Sequence, residues 1–101
     1  MADVTIPVDD PAMVPDLIES TVRVATWNLW WRFGPWEQRH PLIVDELRRV
    51  DADVVCLQEV WATDDSSAAA QIADALGYEQ VHEALVEFRP GVRFGNAVLS
   101  R

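Results

Sequence analysis

Two apolar runs of strand length, separated by one stretch with helical spacing and each closed by polar residues, constrain this chain more than any other feature. From Val22 to Leu29 both alternating sets, Val22, Val24, Thr26 and Ala25, Trp27, Leu29, are largely apolar, the pattern of a strand buried on both faces. Val54, Val55, Cys56 and Leu57 form an uninterrupted apolar run closed by Gln58 and Glu59. Between them Ile43, Leu47 and Val50 recur at helical spacing, and Pro41 fits only a first turn, so the spacing predicts a helix from about His40 to Val50. Strand, helix and strand in that order imply a right-handed crossover and two parallel strands whose C-terminal ends share one edge. The fold class is therefore α/β.

The second helix follows Trp61. Thr63-Asp64-Asp65-Ser66 offers N-cap residues, Ala69, Ile72 and Leu76 share a helical face, and Gly77 stands where a C-cap glycine belongs. Tyr78 to Val86 reads as a strand of weak alternation, Arg89-Pro90-Gly91 as a turn, and Phe94 to Ser100 as a last strand. Residues 1–20 carry five acids, no base, and Pro7, Pro11 and Pro15, which suggests a flexible acidic lead-in before a fold spanning 21–101.

The formal charge is −9, and all eight basic residues are arginine. A globally acidic surface repels nucleic acid unless a local basic groove or bound cations offset it, which weighs modestly against such a substrate. Cys56 is the only cysteine, so neither an intrachain disulfide nor a multi-cysteine metal site can form. The first twenty residues lack the basic start and apolar run of a signal peptide, and no stretch approaches a membrane span of roughly 18 apolar residues. These features suggest a soluble, cytoplasmic protein without a transmembrane segment.

Asn28 and Glu59 each end an apolar strand, one crossover unit apart. On neighbouring parallel strands the Asn28 amide oxygen and the Glu59 carboxylate face one crevice, the usual ligand position in such a sheet. Both are hard oxygen donors suited to Mg²⁺. The alternative for the same residues is structural: Asn28 caps a turn and Glu59 meets an arginine.

Three segments in order and spacing, Thr26-Trp27-Asn28-Leu29, Asp53-Val54-Val55-Cys56-Leu57-Gln58-Glu59-Val60 and Gly95-Asn96-Ala97-Val98-Leu99-Ser100-Arg101, resemble the first blocks of the endonuclease/exonuclease/phosphatase family. The resemblance covers residues 21–101. It implies the N-terminal, incomplete portion of a deoxyribonuclease-like four-layer α/β sandwich and a metal-dependent phosphoester hydrolase. Glu59 matches the family's metal-binding glutamate and Asn28 its metal- or phosphate-proximal asparagine, which makes these two the catalytic and metal-site residues expected here. The implied cofactor is Mg²⁺, with Mn²⁺ as the alternative ion. The implied substrate is a phosphoester: nucleic acid, phospholipid or a small phosphate ester.

Gln58 alternates to the other face and reads as support, and Asn96 is within reach of substrate but reads first as a residue whose side chain bonds backbone. The family's activating aspartate and late aspartate–histidine pair follow the last block matched, so this chain by itself is expected to be inactive. His40 and His82 match no family position and read as surface or packing residues. Trp30, Trp31 and Trp36 suit either packing between helix and sheet or a substrate-facing or lipid-facing rim. The rival function classes are a non-catalytic truncated fragment and a small α/β binding module. Self-association through open strand edges is expected, with an apolar sheet face of Val22, Val24, Val55, Leu57, Val98 and Leu99.

Overall fold

A computed structural model describes residues 1–7 and 20–101. Seven elements follow in chain order: β1 (Ala2–Pro7), β2 (Thr21–Asn28), α1 (Trp36–Val50), β3 (Val54–Ala62), α2 (Ala68–Leu76), β4 (Glu79–Arg89) and β5 (Val92–Ser100). The strands form one sheet in the order β1-β2-β3-β5-β4. The predicted crossover is present: β2 and β3 are adjacent and parallel, with Val24 opposite Val54 and Asn28 opposite Gln58. The other three pairings are antiparallel.

Ala2–Pro7 departs from the expected flexible lead-in. It pairs antiparallel with β2, from Ala2 opposite Thr26 to Pro7 opposite Thr21. Edge pairing needs only backbone groups, so an acidic segment can add a strand. The remainder of the expected lead-in, residues 8–19, lies outside the described residues.

Helix α1 begins at Trp36, four residues before the expected start, which puts Pro41 in the second turn rather than the first. The ring removes one donor there, and the helix continues because Ile43, Val44, Leu47 and Val50 are buried on one stripe. Asp51, with φ 54°, ends it in left-handed conformation, and its amide donates to the Leu47 carbonyl. The cap of α2 is Ser67, one residue past the expected candidates: its hydroxyl accepts from the Ala70 amide at 2.9 Å. Thr63 and Ser66 instead close a turn on each other, with the Thr63 amide donating to the Ser66 carbonyl at 2.7 Å. Gly77, at φ 76°, is the C-cap that was expected.

Both helices contribute to one hydrophobic cluster with Ala25, Val55, Leu57, Ala97 and Leu99, residues of a single sheet face. Val55, Leu57 and Leu99 are at most 1% exposed, so the expectation that they form an open apolar face is corrected. Alternation turns them under the helices. Val22, Val24, Cys56 and Val98, on the other parity, are only half-buried. Strand β2 is accordingly covered on one face rather than two, with Ala25 its one fully buried residue. No helix among the described residues is long and apolar enough to cross a membrane.

Candidate functional site

Local backbone geometry gathers the site at the end of β2. The Asn28 side-chain oxygen accepts a hydrogen bond from the Trp30 amide at 2.9 Å, closing a tight turn. That turn drives Trp30 (φ 62°) and Trp31 (φ 46°) into the left-handed region, where non-glycine residues are strained. The chain keeps its grip on β3 through it: the Leu29 amide donates to the Gln58 carbonyl at 2.9 Å and the Trp31 amide to the Glu59 carbonyl at 2.7 Å.

Glu59 is the third strained residue, at φ 52°. The β3–β5 register explains it. Leu57 lies opposite Ala97 and Val60 opposite Gly95, so Gln58 and Glu59 together face Asn96 across a β-bulge. The bulge re-aims Glu59 without ending the strand. Three of the four left-handed non-glycine residues among those described are Trp30, Trp31 and Glu59, and Asp51, the fourth, is a helix cap. Backbone strain is thus concentrated around Asn28 and Glu59, which stand on neighbouring parallel strands.

Asn28, Gln58, Glu59 and Asn96 occupy neighbouring positions on three adjacent strands. Gln58 is engaged along the sheet face away from the helices: its amide nitrogen donates to the Thr26 hydroxyl at 2.9 Å and to the Cys56 carbonyl at 3.2 Å. Half-buried Glu59 has no ion pair or side-chain hydrogen bond among the described residues. The arginine partner of the structural alternative is therefore absent there, while the turn-capping role of Asn28 is present. The Asn96 side chain makes none of the backbone hydrogen bonds expected of it among the described residues, and Asn96 is exposed.

The donor chemistry fits a hard divalent cation. One carboxylate without a partner among the described residues and one amide oxygen, which keeps a second lone pair after accepting from Trp30, are oxygen ligands of the kind Mg²⁺ takes alongside water and substrate oxygen. No cluster of three His, Cys, Asp or Glu side chains occurs among the described residues.

Arginine–aromatic packing supports the turn. Arg39 donates through one nitrogen to the carbonyls of Trp31 at 3.1 Å and Phe33 at 3.0 Å, and more weakly to that of Trp30 at 3.4 Å. Trp31 is 2% exposed and its indole N–H donates to the Arg93 carbonyl at 2.8 Å. Its ring packs edge-on to Phe88 at 5.0 Å and tilted to Phe33 at 5.3 Å. The tryptophan cluster divides: Trp31 is core, Trp36 is half-buried, and Trp30 remains 52% exposed beside the site.

Sequence reasoning missed Arg32 and Arg39, although each stands within three residues of a tryptophan. His82 is exposed on β4. His40 faces a cavity of about 10 Å³ beside Trp31, Trp36 and Trp61, room for one water at most. Burial lowers its pKa from the ordinary histidine value.

A family model described as the endonuclease/exonuclease/phosphatase family matches residues 25–101, more than half of the chain. No curated protein and no solved structure matches it.

Proposed function

Since the chain belongs to the endonuclease/exonuclease/phosphatase family, whose chemistry is phosphoester hydrolysis, we propose that Glu59 and Asn28 form the Mg²⁺-binding edge of a phosphoesterase site. The observation that carries this reading is the strained bulge at Glu59. A residue is held at φ 52° only where the surroundings over-determine it, at a cost of about 1–3 kcal/mol. Here that cost accompanies a carboxylate with no partner among the described residues, beside the strand position opposite Asn28.

Glu59 would hold the ion through its carboxylate and Asn28 through its amide oxygen. Bound there, the ion would polarise a phosphoryl oxygen and offset charge on the leaving group. Asn28 also fixes the turn through Trp30, so it orients the loop beside the ion whether or not it contacts it. Gln58, tied to Thr26 and Cys56, anchors the bulge from the opposite side. In family terms the base that activates water is not among Asn28, Glu59 and Asn96. The 101 residues assayed by themselves are accordingly proposed to bind metal without turning over substrate.

Calorimetric titration with Mg²⁺ tests the site. Glu59→Gln should abolish binding, Asn28→Ala should weaken it, and Glu37→Gln, on the exposed first turn of α1, should leave it unchanged. Equal binding by the wild type and Glu59→Gln would remove the assignment.

A further inference from the structure

Arg32, on the loop between β2 and α1, packs its guanidinium into the corner made by two indole rings, which meet edge to face with centroids 5.4 Å apart. Its guanidinium carbon lies 4.4 Å from the centroid of the Trp36 ring and 4.2 Å from that of Trp61. Cation–π attraction stabilises such stacking, and planar guanidinium suits it better than an ammonium. What this packing leaves undone is the hydrogen bonding. Among the described residues the Arg32 Nε is buried without a partner and Arg32 forms no ion pair, whereas Arg23, Arg48, Arg49, Arg93 and Arg101 each meet a carboxylate; exposed Arg89, over the Trp31 and Phe88 rings, meets none either. Arg39, whose Nε is likewise unpartnered, spends its terminal nitrogen on loop carbonyls.

The donors of a guanidinium all lie in its own plane, and with Nε buried the edge left to bond is the one carrying the terminal nitrogens. That edge matches two oxygens of one oxyanion in a bidentate contact. Position ties it to the site described above. Trp31, the residue before Arg32, donates its amide to the Glu59 carbonyl, and Trp61 is separated from Glu59 by Val60 alone.

We propose that Arg32 binds a second phosphate group of the substrate, one that does not react, through an in-plane bidentate contact held in register by Trp36 and Trp61. The inference rests on the phosphoester reading of the neighbouring site. It assigns Arg32 to substrate binding and makes the two tryptophans positioning residues. Two kinds of phosphoester supply such a group, a nucleotide chain with its flanking phosphodiester and a polyol carrying two phosphates.

The test is titration of the 101-residue protein, ¹⁵N-labelled at tryptophan, with inorganic phosphate in the absence of divalent cation. The indole N–H signals of Trp36 and Trp61 should shift while that of exposed Trp30 does not, and Arg32→Gln should weaken binding by about ten-fold or more. Arg32→Lys keeps the charge but not the fork, and should lose a similar factor. It serves as the variant of record if the glutamine substitution unfolds the protein.

Glu59→Gln should leave phosphate binding intact, so failure of the metal reading and failure of this one are separate results. A dinucleotide bearing two phosphates and a polyol bisphosphate, titrated next, identify the source by which binds more tightly than inorganic phosphate in an Arg32-dependent manner. Wild-type affinity in the folded Arg32 variants, or shifts that bypass Trp36 and Trp61, would overturn the proposal.

Discussion

The Trp31 amide donates to the Glu59 carbonyl at 2.7 Å, and both residues hold left-handed backbone. The contact locks two strained segments together, the turn leaving β2 and the bulge in β3. Neither conformation is favourable by itself for a residue with a side chain. Each is kept by the other and by the core beneath, where Leu29, Trp31 and Val60 are at most 5% exposed.

Replacing Glu59 by glycine should therefore stabilise the fold while destroying the proposed metal ligand. Relief of the left-handed strain, about 1–3 kcal/mol, outweighs the added unfolded-state entropy of glycine, about 0.4–1 kcal/mol. The expected net gain is about 1 kcal/mol, read as a higher midpoint in urea with unchanged slope. Glu59→Gln should give a midpoint near wild type. A lower midpoint for the glycine variant would show that the carboxylate itself contributes to stability.

Gly95 carries the opposite expectation. A Cβ built there would stand 1.9 Å from the Ala84 carbonyl oxygen and 2.9 Å from the Leu85 Cα, both backbone atoms of β4. No side-chain rotation relieves such a contact, so Gly95→Ala must push β4 away from β5. Overpacking of this kind costs about 1–3 kcal/mol or more, and here it disturbs the residue beside Asn96 and opposite Val60. Hydrogen exchange should show β4 amides losing protection while those of β2 and β3 keep theirs. Unaltered protection in β4 would mean that the two strands can separate without cost.

The sequence made the crossover legible because its signal is local. Val54 to Leu57 and the Ile43, Leu47, Val50 spacing carry the element types, and chirality supplies the topology. The adjacency of Asn28 and Glu59 followed from that alone. The bulge was not legible, because its cause is non-local: it exists where β5 presents Asn96 against two residues of β3. The burial of Val55, Leu57 and Leu99 was misread for a related reason. A continuous apolar run leaves open which parity meets the helices, and the half-exposed parity of Val22, Val24 and Val98 became visible only once both helices were seen on one face. Arg32 and Arg39 escaped because their partners, Trp61 and the loop carbonyls, come together only through the turn at Asn28.

Stability should fall as the solution is acidified through the histidine range. Burial lowers the His40 pKa in the folded protein below the value of 6.5 taken for the free side chain. In the window between the lowered value and 6.5, the unfolded chain binds more protons than the folded one, so stability rises with pH. The contribution is fully present above 6.5 and is lost as pH drops through the folded pKa. In His40→Gln the slope of unfolding free energy against pH across that window should flatten. An unchanged slope would assign the dependence to other groups.

Association through the β4 edge should depend on salt. Strand β4 is the last in the sheet order and pairs only with β5, so one row of its backbone groups has no strand partner among the described residues. Val81, Val86 and Phe88 are exposed along it at 58%, 69% and 51%, which favours intermolecular pairing. Glu79, Glu83 and Glu87 lie on the same strand, and two copies meeting edge to edge would bring these carboxylates together. Like charges at such spacing repel across a Debye length of about 10 Å at 0.1 M salt, shrinking to about 3 Å at 1 M. Sedimentation velocity should therefore show monomer at low salt and growing dimer and higher species as salt is raised. Glu83→Lys should alter that response by placing an opposite charge at the centre of the edge. A monomer at every salt concentration, with Glu83→Lys behaving as wild type, would mean that the carboxylates are not what holds copies apart.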